Sequence, residues 1–461
     1  MWSELSPTLQ TVHGRGLRGF KWLRTHDDGR SRRRDGKGVH GTRNSWVHSW
    51  AGRRLLAERP FLLLERVRLF NTLSRTVEEF NATRAVGLYV CGVTPYDTTH
   101  VGHARTYLVF DVLVRHLMHL GHRVDYVQNI TDVDESIVER ARHLDESYRS
   151  LGQRYTAIYM EDLAALGILP ASAYPRATEV IAEMQEVIRR LLATGHAYRA
   201  GGDVYLRVSS LEHYGELSRL SRDEMLEIES HQDGSTIEDE RKQDPLDLLL
   251  WRAAPDDGPS WDSPWGPGRP GWHIECSTLA LKHLGKRLDI HGGGSDLVFP
   301  HHEAEIAQSE AAGGTRPFAR FWVHVAMARL EGHKMSKSEG NMVFVRDLLA
   351  RWSADALRLY LLSTHYREPL DFEEAGLAPA AQLARDLSRV AHAPVEHPGR
   401  AEAWIPWRRK FDDALENDLD TGVAIDALRD LARALEQQEM TYRGRAELRA
   451  LAARLGLSLE P

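Results

Sequence analysis

The stretch from Leu88 to Ile130 limits the possible folds of this chain more than any other. Leu88-Tyr89-Val90-Cys91 is a short apolar run of strand type, Gly92-Val93-Thr94-Pro95 breaks it as a turn, and Thr106 to Leu120 continues as a long amphipathic helical pattern. Arg123 to Ile130, with Val124, Tyr126, Val127 and Ile130, reads as a second strand. Strand, helix, strand in this order is a βαβ unit, which pairs its strands in parallel and needs helices to cover the sheet. Glu135 to Leu166 keeps a helical pattern, so the fold class is α/β.

Further along, Leu288-Asp289-Ile290-His291 resembles another buried strand and runs into Gly292-Gly293-Gly294-Ser295-Asp296. Residues 215–270 are polar and end in a Pro/Gly-dense run from Ser263 to Gly271, which reads as a connection at the edge of a site. After Asp371 the pattern is helical to the end (Ala380–Val390, Trp407–Leu415, Ala424–Leu435), as in a helical bundle.

A chain of 461 residues has room for two to four domains at roughly 100–200 residues each. No apolar run approaches the roughly 18 residues that span a bilayer. Two cysteines, Cys91 and Cys276, are too few for a disulfide scaffold. Residues 1–66 hold 14 Lys/Arg and 6 Asp/Glu, a balance of +8 that leaves −15 for the other 395 residues of a chain with net charge −7. The main body is acidic, so contact with nucleic acid has to use local basic patches. The first 66 residues lack any sustained period and read as a disordered basic extension or as a start assigned too far upstream.

Two motifs carry chemistry. His100-Val101-Gly102-His103 lies between the first strand and its helix, where two histidines three apart share a face and the free N–H groups of a helix start favour an anion. Lys334-Met335-Ser336-Lys337-Ser338, followed by Glu339-Gly340-Asn341, sets two ammonium groups among hydroxyls in a loop able to clamp a polyphosphate. Each motif alone also fits a bland reading, a structural histidine pair or a solvated loop.

Together, H-x-G-H after the first strand and K-M-S-K-S 231 residues later resemble the paired signatures of class I aminoacyl-tRNA synthetases. Cys91-Gly92-Val93-Thr94-Pro95-Tyr96-Asp97, Asn129-Ile130-Thr131-Asp132, the run Gly268–Ser277 with Trp272-His273-Ile274-Glu275-Cys276, and Asp289–Glu305 narrow the resemblance to the cysteine-activating branch. It extends from about Val67 to the last residues. It implies a Rossmann-type doubly wound parallel sheet with an inserted connective segment and a C-terminal helical bundle. Residues 67–150 and 266–325 would be the two halves of the catalytic domain and 151–265 a helical and connective insertion. Residues 326–375 would carry the signature loop and stem contacts, and 376–461 the bundle.

The resemblance also implies one zinc ion per chain, held by Cys91, Cys276, His301 and Glu305. Spacing alone does not suggest a metal, since 185 residues separate the cysteines and there is no C-x-x-C. His301 and Glu305 are four apart and would share a helix face. A thiolate-bearing zinc can enlarge its shell to accept the sulfur of a substrate. Cysteine and serine would differ by only about 1–3 kcal/mol in an apolar pocket, whereas a metal–sulfur bond separates them without proofreading. On the family pattern Trp272 would wall the amino-acid pocket, with Thr94 and Thr131 as polar contacts.

The implied reaction is attack of the cysteine carboxylate on the α-phosphorus of ATP, with Mg²⁺ accompanying the nucleotide, followed by transfer of the cysteinyl group. His100 and His103 would face the α-phosphate, Lys334 and Lys337 the departing pyrophosphate, and Gly292, Gly293, Gly294, Ser295 and Asp296 the adenosine. Two relatives share activation and differ in acceptor: cysteinyl-tRNA synthetases, and a mycothiol-pathway ligase that uses the amine of a glucosaminyl-inositol. Arg105, Glu305 and Thr364-His365-Tyr366-Arg367-Glu368-Pro369-Leu370-Asp371 resemble the synthetase, and Glu227–Gly234 stands where the ligase has E-R-G-G-D-P, while Pro95 resembles the ligase. The chain ends near Leu455–Pro461, where a typical synthetase continues into a small anticodon-reading domain. The expectation is a cytoplasmic, membrane-free enzyme that joins L-cysteine to tRNA(Cys), its oligomeric state left open by the sequence with a monomer favoured. An amino-sugar acceptor and a non-catalytic RNA-binding relative stand as alternatives.

Overall fold

The computed structural model describes residues 67–81, 85–232, 235–254, 258–335, 340–394, 404–437 and 442–461. The readings of residues 1–66 and of Ser336 to Glu339, Lys337 among them, lie outside the described residues.

The chain opens with the antiparallel pair β1 (Arg68–Asn71) and β2 (Thr76–Glu79). Next come β3 (Ala85–Val93), α1 (Val101–His119) and β4 (Arg123–Ile130), with β3 and β4 parallel. α2 (Glu135–His143), α3 (Tyr148–Ala165) and α4 (Ile181–Ala193) lead to β5 (Ala197–Ala200), β6 (Asp203–Leu206), α5 (Arg222–Ser230), β7 (Leu248–Ala253) and β8 (Gly268–Pro270). α6 (Trp272–Leu284), β9 (Leu288–Gly294), α7 (Glu303–Gly313) and β10 (Ala319–Val325) return to the first sheet. β11 (Ala328–Leu330), β12 (His333–Lys334), α8 (Val345–Leu349), α9 (Ala354–Leu361) and β13 (Leu370–Asp371) follow, and α10 (Leu377–His392), α11 (Ile405–Glu416), α12 (Thr421–Gln437) and α13 (Tyr442–Arg454) complete the chain.

The central sheet has the order β10-β9-β3-β4 with every pair parallel. Its strands alternate between two cores. Val86, Leu88 and Val90 of β3 pack with α1 and the C-terminal helices, while Tyr89 and Cys91 pack with α4, α6, α7 and Trp322. A parallel sheet covered on both faces is the doubly wound arrangement expected of near-continuous apolar strands.

The connection expected at 215–270 is more ordered than its composition suggests. β5-β6-β7-β8 form an antiparallel sheet, and α5 starts at a Ser221/Glu224 capping box. The strands are three to six residues long, too short for their alternation to stand out from the polar loops between them.

Two buried arginines tie α1 to the rest of the chain. Arg105 donates to the carbonyls of Ala326 (2.9 Å), His365 (3.0 Å) and Glu368 (2.6 Å). Arg358 of α9 pairs with Asp111 of α1 and donates to Leu166 O and Leu455 O, both at 2.9 Å. The helix carrying the H-x-G-H motif is thereby fixed both to the segment before β13 and to the C-terminal end of the chain.

Candidate functional site

In open parallel sheets ligands bind beyond the carboxyl ends of the strands, where the strand order reverses. Here that point lies between β3 and β9, flanked by β4 and β10. Cys91 and Thr94 sit at the end of β3, Thr131 follows β4, and Gly292 to Asp296 run off the end of β9.

The four residues assigned to a metal converge. The ligand atoms of Cys91, Cys276, His301 and Glu305 all lie within 4.8 Å of one another, and all four residues are buried. Cys91 comes from β3, Cys276 from the second turn of α6, His301 from the turn before α7, and Glu305 from the first turn of α7. Cys91 Sγ is 3.8 Å from Cys276 Sγ and 3.4 Å from Glu305 Oε1, and His301 Nε2 is 3.2 Å from Glu305 Oε1. A tetrahedral ion with bonds of about 2.3 Å to sulfur and about 2.0–2.2 Å to nitrogen and oxygen has edges of about 3.8, 3.6 and 3.4 Å for these three pairs. The observed edges are close to these values. His301 Nε2 is moreover a buried atom with no hydrogen-bond partner, as a nitrogen aimed at a metal would be.

Burial pushes the Cys91 thiol and the Glu305 carboxyl up and the His301 imidazole down from their ordinary pKa values. Each shift disfavours the charged form, so without a cation the protein drives these groups to neutrality. A divalent ion would supply the missing positive charge and turn the same burial into affinity.

A second shell of histidines, which the sequence reading missed, surrounds the four. His273 Nδ1 lies 2.9 Å from His301 Nδ1, and His291 Nε2 lies 2.9 Å from Glu305 Oε2. His302 Nε2 is 3.2 Å from Cys91 Sγ, and its Nδ1 continues to His324 Nε2 (2.7 Å), whose Nδ1 meets Thr72 Oγ1 (2.7 Å). Cys91, His291, His302 and Glu305 thus make a second possible metal grouping that shares two members with the first. His302 and Glu305 stand three apart, a helical spacing visible in the sequence. His324 and Thr72 are 252 residues apart, and only the fold joins them.

Trp272, the first residue of α6, lays its ring against His301 at 4.2 Å between centroids, on the edge of the ligand cluster. His100 does not lie in the first helical turn. It is the N-cap of α1, with Nδ1 accepting from Gly102 N (3.1 Å) and His103 N (3.4 Å). Its ring stacks on that of His103 at 3.6 Å. The N–H groups expected to meet a phosphate are therefore already met by an imidazole, and the cap fixes the orientation of the histidine pair. Gly292 is dictated by packing, since a Cβ there would stand 2.1 Å from the Phe110 ring of α1. Asp296 is exposed in the turn after β9. The backbone of Lys334 pairs with Arg329 in the small antiparallel ladder β11–β12.

Residues 77–382 match the family model for the catalytic domain of class I (C) tRNA synthetases. A cysteine–tRNA ligase of Dehalococcoides mccartyi is 43% identical over 403 residues, covering 85% of this chain and 86% of the relative. The chain belongs to the class I cysteinyl-tRNA synthetase family. Family members from distant sources are similarly close: the cysteine–tRNA ligase of Geobacter sulfurreducens is 44% identical over 388 residues (80% of this chain, 79% of the relative), and that of Thermococcus onnurineus is 40% identical over 388 (80% of each). The fold resembles that of Mycobacterium tuberculosis methionyl-tRNA synthetase bound to methionyl-adenylate, with a TM-score of 0.59 at 18% identity over 82% of this chain and 88% of that one.

Proposed function

We propose that this chain is a cysteine–tRNA ligase, which activates L-cysteine with ATP and transfers it to tRNA. The observation that carries this reading is the match, along most of the chain, to relatives named cysteine–tRNA ligase. Pro95 resembles the mycothiol-pathway ligase, whereas Arg105, Glu305 and the segment Thr364–Asp371 resemble the synthetase.

Cys91, Cys276, His301 and Glu305 would hold a zinc ion. When bound, it supplies a soft Lewis acid that bonds to the sulfur of cysteine and gives little to the hydroxyl of serine. Trp272 and Thr131 would then confine the amino acid against this centre, with Thr94 at the mouth, so that the carboxylate faces the nucleotide. Gly292 to Asp296 would line the adenosine, with the exposed Asp296 toward the ribose.

Activation needs in-line positioning and charge neutralisation more than proton transfer. A cysteine carboxylate oxygen bonds to the α-phosphorus as the bond to pyrophosphate breaks, and pyrophosphate leaves with its electron pair. His100 and His103, stacked and capped at the start of α1, would stabilise the α-phosphate, while Lys334 and Lys337 take up the charge of the leaving group together with Mg²⁺. A ribose hydroxyl at the tRNA 3′ end then attacks the cysteinyl carbonyl, and AMP departs. Among the described residues no helix is long and apolar enough to cross a membrane, and the proposed tRNA substrate supports reading the enzyme as cytoplasmic.

The test offers purified protein ATP and radiolabelled cysteine with tRNA and with glucosaminyl-inositol in parallel. Ribonuclease-sensitive label on the tRNA is expected; label on the amino-sugar would replace this reading with the ligase.

A further inference from the structure

The backbone that presents Cys91 is held by buried polar groups outside the ligand set. Asn129 is 1% exposed and uses both ends of its amide: Oδ1 accepts from Gly92 N at 2.8 Å, and Nδ2 donates to Thr131 Oγ1 at 3.1 Å. Thr131 N donates to Val93 O at 3.0 Å, so the end of β4 grips β3 just after Cys91. The β3–β4 register shifts between Val90 and Val93, where Cys91 and Gly92 lie. Gly92 packs so tightly on Asn129 that a Cβ would stand 1.7 Å from Asn129 O.

A displaced strand segment of this kind re-aims its side chains, and something must hold it in place. We infer that Asn129, acting with Thr131, is a positioning residue for the metal centre: the pair clamps the irregular segment that aims Cys91 at the other ligands. Groups outside the first coordination shell that orient ligands typically change metal affinity 10–100-fold when lost. Asn129 differs from the histidines in acting on the backbone that carries a ligand rather than on the ligand itself.

The test uses the full chain carrying Asn129→Leu or Thr131→Val, with zinc affinity measured by chelator competition and ligand geometry read from the visible absorption of the Co²⁺-substituted protein. Asn129→Leu should weaken zinc binding 10–100-fold and shift the cobalt bands, and the nearly isosteric Thr131→Val should weaken it at least threefold in the same sense. Asp355→Asn, which disturbs the carboxylate accepting from Ser458 N (2.9 Å) and Leu459 N (2.8 Å), should lower the melting temperature without touching affinity or spectrum. A merely structural Asn129 would behave like this control. Zinc affinity within threefold of wild type together with an unchanged cobalt spectrum in the folded variants overturns the inference, and if Asn129→Leu does not fold, Thr131→Val alone decides. The inference rests on reading the quartet as a metal site: a wild-type chain that binds neither ion sinks both, whereas wild-type binding with unaltered variants sinks only this one.

Discussion

His273 holds His301 by its far edge: their Nδ1 atoms are 2.9 Å apart, and the opposite nitrogen of His301 faces Glu305 Oε1 at 3.2 Å. Burial lowers the His273 pKa to about 4, so it meets His301 as a neutral ring that adds no competing charge beside a cation. His273→Ala should therefore weaken zinc binding about 10–100-fold while the ligand set stays complete. Chelator competition measures it, and an unchanged affinity would mean that Trp272 packing alone orients His301.

Metal binding should be steeply pH-dependent. Because burial raises the Cys91 thiol pKa, that proton has to leave when a metal enters. Lowering the pH from 8 to 6 adds back protons that the metal must displace, so zinc affinity should fall by at least tenfold per unit. Chelator competition at fixed ionic strength across this range checks it, and a flat profile would show that the thiols are not ligands.

Lys337→Ala should slow adenylate formation by about 10²–10³, or roughly 3–4 kcal/mol of transition-state stabilisation, by analogy with single oxyanion donors. Cysteine affinity should stay within a few-fold, because the ammonium would meet charge that builds on pyrophosphate while the amino acid faces the metal. Pre-steady-state exchange and calorimetry separate the two, and the reverse pattern would make Lys337 a pocket residue.

Arg358→Met should cost about 3–5 kcal/mol of stability, since it breaks a buried ion pair with Asp111 and leaves Leu166 O and Leu455 O without this donor. Urea unfolding followed by far-ultraviolet dichroism measures the loss, which should exceed that of any exposed Arg→Met substitution.

What the sequence disclosed follows from how local each signal is. The βαβ opening and the C-terminal helices are written in periodicity over ten or more residues, and β4 coincides with the run Arg123–Ile130. The ligand quartet has no local signature, because β3, α6, and α7 with the turn before it contribute its members from three distant stretches, and only resemblance grouped them. Asn129 and Thr131 stood within a recognised motif, yet nothing in their spacing says that one grips Gly92. The sheet β5–β8 escaped notice because its strands are short and β6 and β7 are separated by a long polar segment.

Selection of cysteine through sulfur at Cys91, Cys276, His301 and Glu305, for delivery to tRNA, is tested most directly by measuring transfer of radiolabelled cysteine to tRNA in competition with serine, for wild-type protein and for Cys276→Ala with zinc content determined in parallel. The wild type should hold one zinc per chain and charge tRNA with cysteine while excluding serine, and Cys276→Ala should lose both the metal and the discrimination. Charging by wild-type protein with substoichiometric zinc, or Cys276→Ala that still selects cysteine, would contradict it.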